Sequence, residues 1–211
     1  MTVTAPFPTL GRGLVAILRG LRPEEALDVG HAVYEAGIEA IEVPLNSPDP
    51  FRSIEMLAKA LPAALVGGGT VVRGEDVDRL NDAGGRLLVS PNIDAEVMGR
   101  AAAHRMVTMP GVFTPTDAFL ALRLGASALK FFPASVMGPG GIAAIRAVLP
   151  AETQVGVVGG VSEVDFDAYA KVGVQLFGLG SSLYKPGMSA AQVGERARAA
   201  VTAWDNIGKG G

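Results

Sequence analysis

The sequence predicts an α/β chain closed into a (β/α)8 TIM barrel, and three observations predict it. Short apolar runs recur eight times, stretches with helical spacing lie between them, and polar or glycine-rich residues gather where the runs end. The runs cover residues 14–18, 40–43, 64–66, 87–89, 106–109, 126–129, 155–158 and 174–177. They are too brief for helices, rich in branched residues and without clean apolar/polar alternation, so each is predicted as a strand buried on both faces. Between them, residues 23–36 typify the helices: proline and two acids open the segment and Gly37 stops it. Gly37, Gly84, Gly125 and Gly173 each stand just before the next strand, where a helix-capping glycine belongs. A doubly wound open sheet shares the alternation; the number eight and the short length per unit favour the small closed barrel.

Bulk properties bound the function. A chain of 211 residues, 49% hydrophobic, is enough for one core, so one domain is expected over residues 1–207 with a disordered tail at 208–211. A net charge of -3 supplies no basic field for nucleic acid or anionic lipid, so neither is expected as a partner. Without cysteine there are no disulfides, thiolate zinc sites or thiol nucleophiles, and His31 and His104 are too few for a histidine-rich metal centre. No metal is expected, although the residues leave a carboxylate-bound magnesium open. No apolar segment approaches the ~18 residues of a membrane span, and residues 1–10 lack a signal-like basic start and apolar core, so a cytoplasmic location is expected.

Function in a barrel sits where each strand leads into the following loop. Lys59, Lys171, Lys185 and Lys209 fall on helix ends, a loop or the tail, but Lys130 ends an apolar run and is followed by Phe131, Phe132 and Pro133. Desolvation there favours the neutral amine, which is what attack on a carbonyl carbon requires. A lysine that snorkels or pairs with a carboxylate is the plainer reading of position alone. Glu42 lies within a strand pattern between Ile41 and Val43, and an inward carboxylate must find a partner: an ion pair with Lys130 or Arg19, or work as a general acid/base. A keto acid linked to Lys130 as a protonated imine can draw electrons from its C3–C4 bond, with no metal or other cofactor.

Anion holders are the third component. Gly159-Gly160 and Gly180-Ser181 follow adjoining strands at the place where barrels commonly bind phosphate through exposed N–H groups, although tight turns use the same residues. Gly67-Gly68-Gly69-Thr70 offers N–H groups and a hydroxyl to a carboxylate, or is a plain turn. Arg19 suits a carboxylate, a phosphate or Glu42. His31 and His104 read as surface or packing residues, and Met106 and Met109 as core.

Taken in order, these segments resemble the 2-keto-3-deoxy-6-phosphogluconate and 6-phosphogalactonate aldolases. The resemblance runs from Leu14 to about Trp204 on Val15-Ala16-Ile17-Leu18-Arg19-Gly20, Glu42-Val43-Pro44-Leu45-Asn46-Ser47-Pro48, Gly69-Thr70-Val71, Ser90-Pro91-Asn92-Ile93, Pro110-Gly111, Leu129-Lys130-Phe131-Phe132-Pro133, Gly159-Gly160-Val161 and Gly178-Leu179-Gly180-Ser181. It implies a (β/α)8 barrel, a homotrimer, Lys130 as imine-forming residue and Glu42 as acid/base. It also implies Thr70 and Pro91 at the pyruvate end, Gly159, Gly160, Gly180 and Ser181 at the phosphate end, and Arg19 as a substrate contact of the galactonate branch. Asn46 stands where the gluconate enzymes carry an arginine, Ser135 where they carry an acid, and Val158 where they carry a threonine. All three departures look like the galactonate branch, so the implied reaction is cleavage of 2-dehydro-3-deoxy-6-phosphogalactonate, a phosphorylated keto-deoxy sugar acid, to pyruvate and glyceraldehyde 3-phosphate. The rivals are a gluconate-specific or dual-specificity aldolase, a phosphosugar epimerase or isomerase, and a noncatalytic phosphosugar-binding barrel.

Overall fold

The computed structural model describes residues 4–208. Its strands are β1 (Leu14–Ile17), β2 (Ala40–Pro44), β3 (Leu65–Gly69), β4 (Leu87–Val89), β5 (Val107–Met109), β6 (Gly111–Val112), β7 (Leu129–Phe131), β8 (Val155–Val158) and β9 (Leu176–Leu179). The helices are α1 (Pro23–Glu35), α2 (Pro50–Ala60), α3 (Gly74–Asp82), α4 (Ala95–Ala103), α5 (Pro115–Arg123), α6 (Ala134–Arg146), α7 (Phe166–Ala170) and α8 (Ala190–Asp205). The strand order is β5-β4-β3-β2-β1-β9-β8-β7-β6, parallel at every pairing.

Where eight strands are predicted, nine segments appear because Pro110 divides the fifth. Proline has no N–H to give to a ladder. β5 accordingly pairs with β4, and β6, just beyond Pro110, pairs with β7. The two ends of the strand order are thus consecutive in the chain, and the segments close into a barrel of eight strand positions. The open-sheet alternative is set aside.

Four boundaries lie nearer the barrel mouth than the apolar runs suggest. β2 continues to Pro44, β3 to Gly69, β7 to Phe131 and β9 to Leu179. Hydrophobicity ends before the ladder does: Gly67, Gly68 and Gly69 still pair with Glu42, Val43 and Pro44, and Lys130 pairs with Gly111 and Gly156. The glycine triplet is therefore strand, not turn, and Lys130 lies inside a strand rather than at its end. Residues 126–128 form the approach to β7, where the Ser127 N–H donates to Thr108 Oγ1 at 3.1 Å and the Thr108 N–H to Ser127 Oγ at 2.8 Å.

Alternation along the strands explains what reaches the mouth. Val15, Ala40, Leu65, Leu87, Val107, Ala128 and Leu176 form one buried cluster with Phe7, filling the barrel interior near its floor. The intervening residues, such as Leu14, Ala16, Ile41, Val43 and Val66, pack outward with Val29, Val33, Ile54, Leu57 and Leu80 of the helices. Two residues on from that interior layer come Glu42, Gly67, Lys130 and Gly178; two further on come Pro44, Gly69, Phe132 and Gly180. The period of two thus places Glu42 and Lys130 in one layer, among glycines that leave the centre open.

Gly37, Gly84, Gly125 and Gly173 all have positive φ just past their helices, as the caps require. Met106 and Met109 are buried in the core. His31 is exposed on α1, and His104 caps the end of α4 with Nε2 2.8 Å from Asp78 Oδ1. Of the tail expected to be disordered, Gly208 donates its N–H to Asp167 Oδ1 at 3.2 Å, and residues 209–211 lie outside the described residues. Among the described residues no helix is long and apolar enough to cross a membrane.

Candidate active site

Lys130 enters the barrel from β7 with 5% of its surface exposed, and Glu42 from β2 with 3%. Burial pushes the amine down to about 8 and the carboxyl up to about 7, with each charge partly offsetting the other's burial. The Arg19 guanidinium lowers both. Glu42 Oε2 is buried without a hydrogen-bond partner, so the structural ion pair open to the sequence does not satisfy it. The Lys130 ammonium lies 4.9 Å from the centroid of the Phe132 ring, which forms an apolar wall beside it.

Arg19, Asn46 and Thr70 come from three separate loops and meet at one edge of the mouth. Arg19 Nη1 donates to Asn46 Oδ1 at 2.6 Å and Nη2 to Thr70 Oγ1 at 3.4 Å. The Gly20 N–H donates to Ser47 Oγ at 2.9 Å, lacing the first two loops together. Arg19 therefore takes Asn46 and Thr70 rather than Glu42 as its direct partners, and its guanidinium is held toward the opening. Thr70 has φ of 58°, a left-handed conformation that costs a branched residue on the order of 1–3 kcal/mol. A strained threonine beside two buried ionisable groups marks a site.

Pro91 follows β4 half-buried, and its carbonyl packs against Gly111, whose strand neighbour is Lys130. Val158 ends β8 half-buried, with its side chain over the bare backbone of Gly178.

The glycines after β8 and β9 form two adjoining turns, since Val158 and Gly178 are paired. Gly159 and Gly160 have φ of 94° and 74°, conformations that a side chain resists. A Cβ at Gly160 would also stand 2.7 Å from Ser135 Oγ. In the second turn the Leu183 and Tyr184 N–H groups donate to Gly180 O, both at 2.9 Å. Arg196 of α8 reaches the Ser181 and Ser182 carbonyls at 3.4 Å. Tyr184, which donates to Glu25 Oε1 at 2.9 Å, ties this turn to α1. Among the described residues the Gly160 and Ser181 N–H groups have no backbone acceptor, so they are free to meet an anion.

The sequence did not reveal the Arg19–Asn46–Thr70 link, the Ser47 tie or the Arg196 support behind the second turn. These depend on loops far apart in the chain. The apolar wall did have a signal in Phe131-Phe132 directly after Lys130. Among the described residues no group of three or more His, Asp or Glu is placed to hold a metal ion.

A closed α/β barrel with a buried amine and carboxylate at its mouth, and free backbone N–H groups after the last strands, defines the class; the chain belongs to the KDPG and KHG aldolase family, whose model matches residues 11–200. It is an aldolase, a carbon–carbon lyase. Its relatives include the probable 2-dehydro-3-deoxy-6-phosphogalactonate aldolase of Rhizobium meliloti (strain 1021), 60% identical over 96% of both chains. The 2-dehydro-3-deoxy-6-phosphogalactonate aldolase of Escherichia coli (strain K12) is 45% identical over 90% of this chain and 94% of its own. A solved structure described as native KDPGal superposes with a TM-score of 0.93 at 44% identity, over 95% of this chain and 98% of that one.

Proposed function

We propose that this aldolase reversibly cleaves 2-dehydro-3-deoxy-6-phospho-D-galactonate to pyruvate and D-glyceraldehyde 3-phosphate through a Schiff base on Lys130. The observation that carries the reading is the pairing, in one inward layer, of an amine brought down to about 8 with a carboxyl brought up to about 7. A much larger share of the amine is then neutral at pH 7 than for an ordinary lysine. Lys130 Nζ attacks the C2 carbonyl, and loss of water from the carbinolamine leaves the protonated imine. The Glu42 carboxylate, ionised above about 7, takes the C4 hydroxyl proton. The C3–C4 electron pair moves into the imine, releasing the aldehyde and leaving the enamine of pyruvate. Protonation at C3 and hydrolysis then free pyruvate and restore the amine.

The remaining residues divide the substrate between them. Thr70 and Pro91 take the carboxylate end, Arg19 and Asn46 the hydroxyls, and Gly159, Gly160, Gly180 and Ser181 the phosphate, with Val158 beside the C4 region. Two things support the galactonate configuration: the names of the relatives, and the set of Asn46, Ser135 and Val158. The catalytic unit is proposed as a single domain over residues 1–207, working in the cytoplasm as a homotrimer, the trimer resting on the family resemblance.

Pyruvate release should be measured on the two substrates epimeric at C4. The galactonate epimer is expected to react with at least about tenfold higher kcat/KM, the worth of ~1.4 kcal/mol of differential contact. Comparable rates would make the enzyme a dual-specificity aldolase, and no release from either would favour a phosphosugar-binding barrel.

A further inference from the structure

Gly69 closes β3 beside Glu42, yet none of the usual reasons for glycine applies to it. Its φ is not in the left-handed region, so conformational freedom is not the cause. Within the triplet, a Cβ at Gly67 would run into the Leu87 backbone, which explains that glycine by strand packing. Gly68 faces outward onto Leu80 and Leu45. At Gly69 a Cβ would fall under 3.0 Å from both oxygens and the carboxyl carbon of Glu42. The carboxylate occupies the volume that any other residue would fill with its side chain. Glu42 Oε2, moreover, is buried with no hydrogen-bond donor to orient it, so no hydrogen bond at that oxygen fixes the group.

We propose that Gly69 is a positioning residue: the side chain it lacks is the slot that holds the Glu42 carboxylate in the layer of the Lys130 amine. This rests on the reading of Glu42 as the acid/base. The slot lies on the inward face, where register sets Gly69 against Pro44 and Glu42 against Gly67, so the two bare positions of β3 flank the acid. A methyl there expels the carboxylate by about an ångström or more, a displacement that costs on the order of 10²-fold when a catalytic group is involved.

Four variants test it: Gly69→Ala, Glu42→Asp, the double variant and Glu42→Gln, each checked for folding by circular dichroism and assayed for pyruvate release across pH. Gly69→Ala is expected to fold, to lose about 10²-fold in kcat with KM little changed, and to displace the limb of the pH profile that the raised Glu42 carboxyl is expected to set in the parent. Asp is one methylene shorter and relieves the overlap, so the double variant should lose no more than the worse single variant. Losses that multiply, or a folded Gly69→Ala with the parent's kcat and profile, would overturn the slot. Should Gly69→Ala fail to fold, the double variant is expected to fold, and its failure too would place the clash elsewhere and overturn the proposal. Glu42→Gln at the parent's rate would instead remove the acid/base reading itself.

Discussion

Lys130→Met is expected to lower kcat by about 10⁴-fold or more, the order seen when a covalent nucleophile is lost, while the protein stays folded. Methionine matches the stem of the lysine at a site only 5% exposed, so the packing of β7 changes little. The stability effect has a definite sign. Burial lowers the Lys130 pKa from 10.5 to about 8, so the buried ammonium costs stability below pH 8 and costs nothing above 10.5. The variant should therefore melt at or above the parent's temperature at pH 7, with the difference narrowing as pH rises. Rates of pyruvate release and thermal melts at pH 7 and 10 check both halves. Turnover within tenfold of the parent would take Lys130 out of the chemistry; a lower melting temperature at pH 7 would contradict the cost assigned to the buried charge.

Glu42→Gln should be the second largest loss, about 10²- to 10⁴-fold in kcat, the usual worth of a positioned acid/base. Binding of inorganic phosphate should be largely unchanged, because the phosphate turns follow β8 and β9 whereas Glu42 stands on β2. A second effect follows from the electrostatics. The Glu42 charge raises the Lys130 pKa against the larger lowering by burial, so removing it lets the amine fall further below 8. Labelling of Lys130 by an amine-directed reagent, followed against pH, should show its rising limb displaced to lower pH in the variant. An unchanged kcat would exclude Glu42 from the reaction, and a limb moved to higher pH would contradict the coupling.

The sequence was most legible where a residue violated its surroundings. Lys130 and Glu42 are charges inside apolar strand patterns, and the structure puts both in one inward layer. Apolar runs also located every strand position of the barrel, because those positions are buried on both faces. They misplaced strand ends for the same physical reason: near the mouth the ladder is continued by glycine, proline and lysine, which carry no hydrophobic signal. Pro110 could not be read as a break, since a proline ending an apolar run looks like the start of a loop. Gly67 to Gly69 read as an anion-holding segment after the strand or a plain turn, because a run of glycines does not record what fills the space it leaves; here that is Leu87 backbone in one case and a carboxylate in the other. The contact of Arg19 with Asn46 and Thr70 needed three loops to be brought together, and no local pattern encodes that.

The most direct test of the covalent mechanism is incubation of the parent enzyme with pyruvate and borohydride, followed by peptide mass analysis. A reduced pyruvyl adduct is expected on Lys130 and on no other lysine, and Lys130→Met should show none. Full turnover without that adduct, or an adduct on another lysine at equal yield, would contradict the assignment of Lys130 as the imine-forming residue.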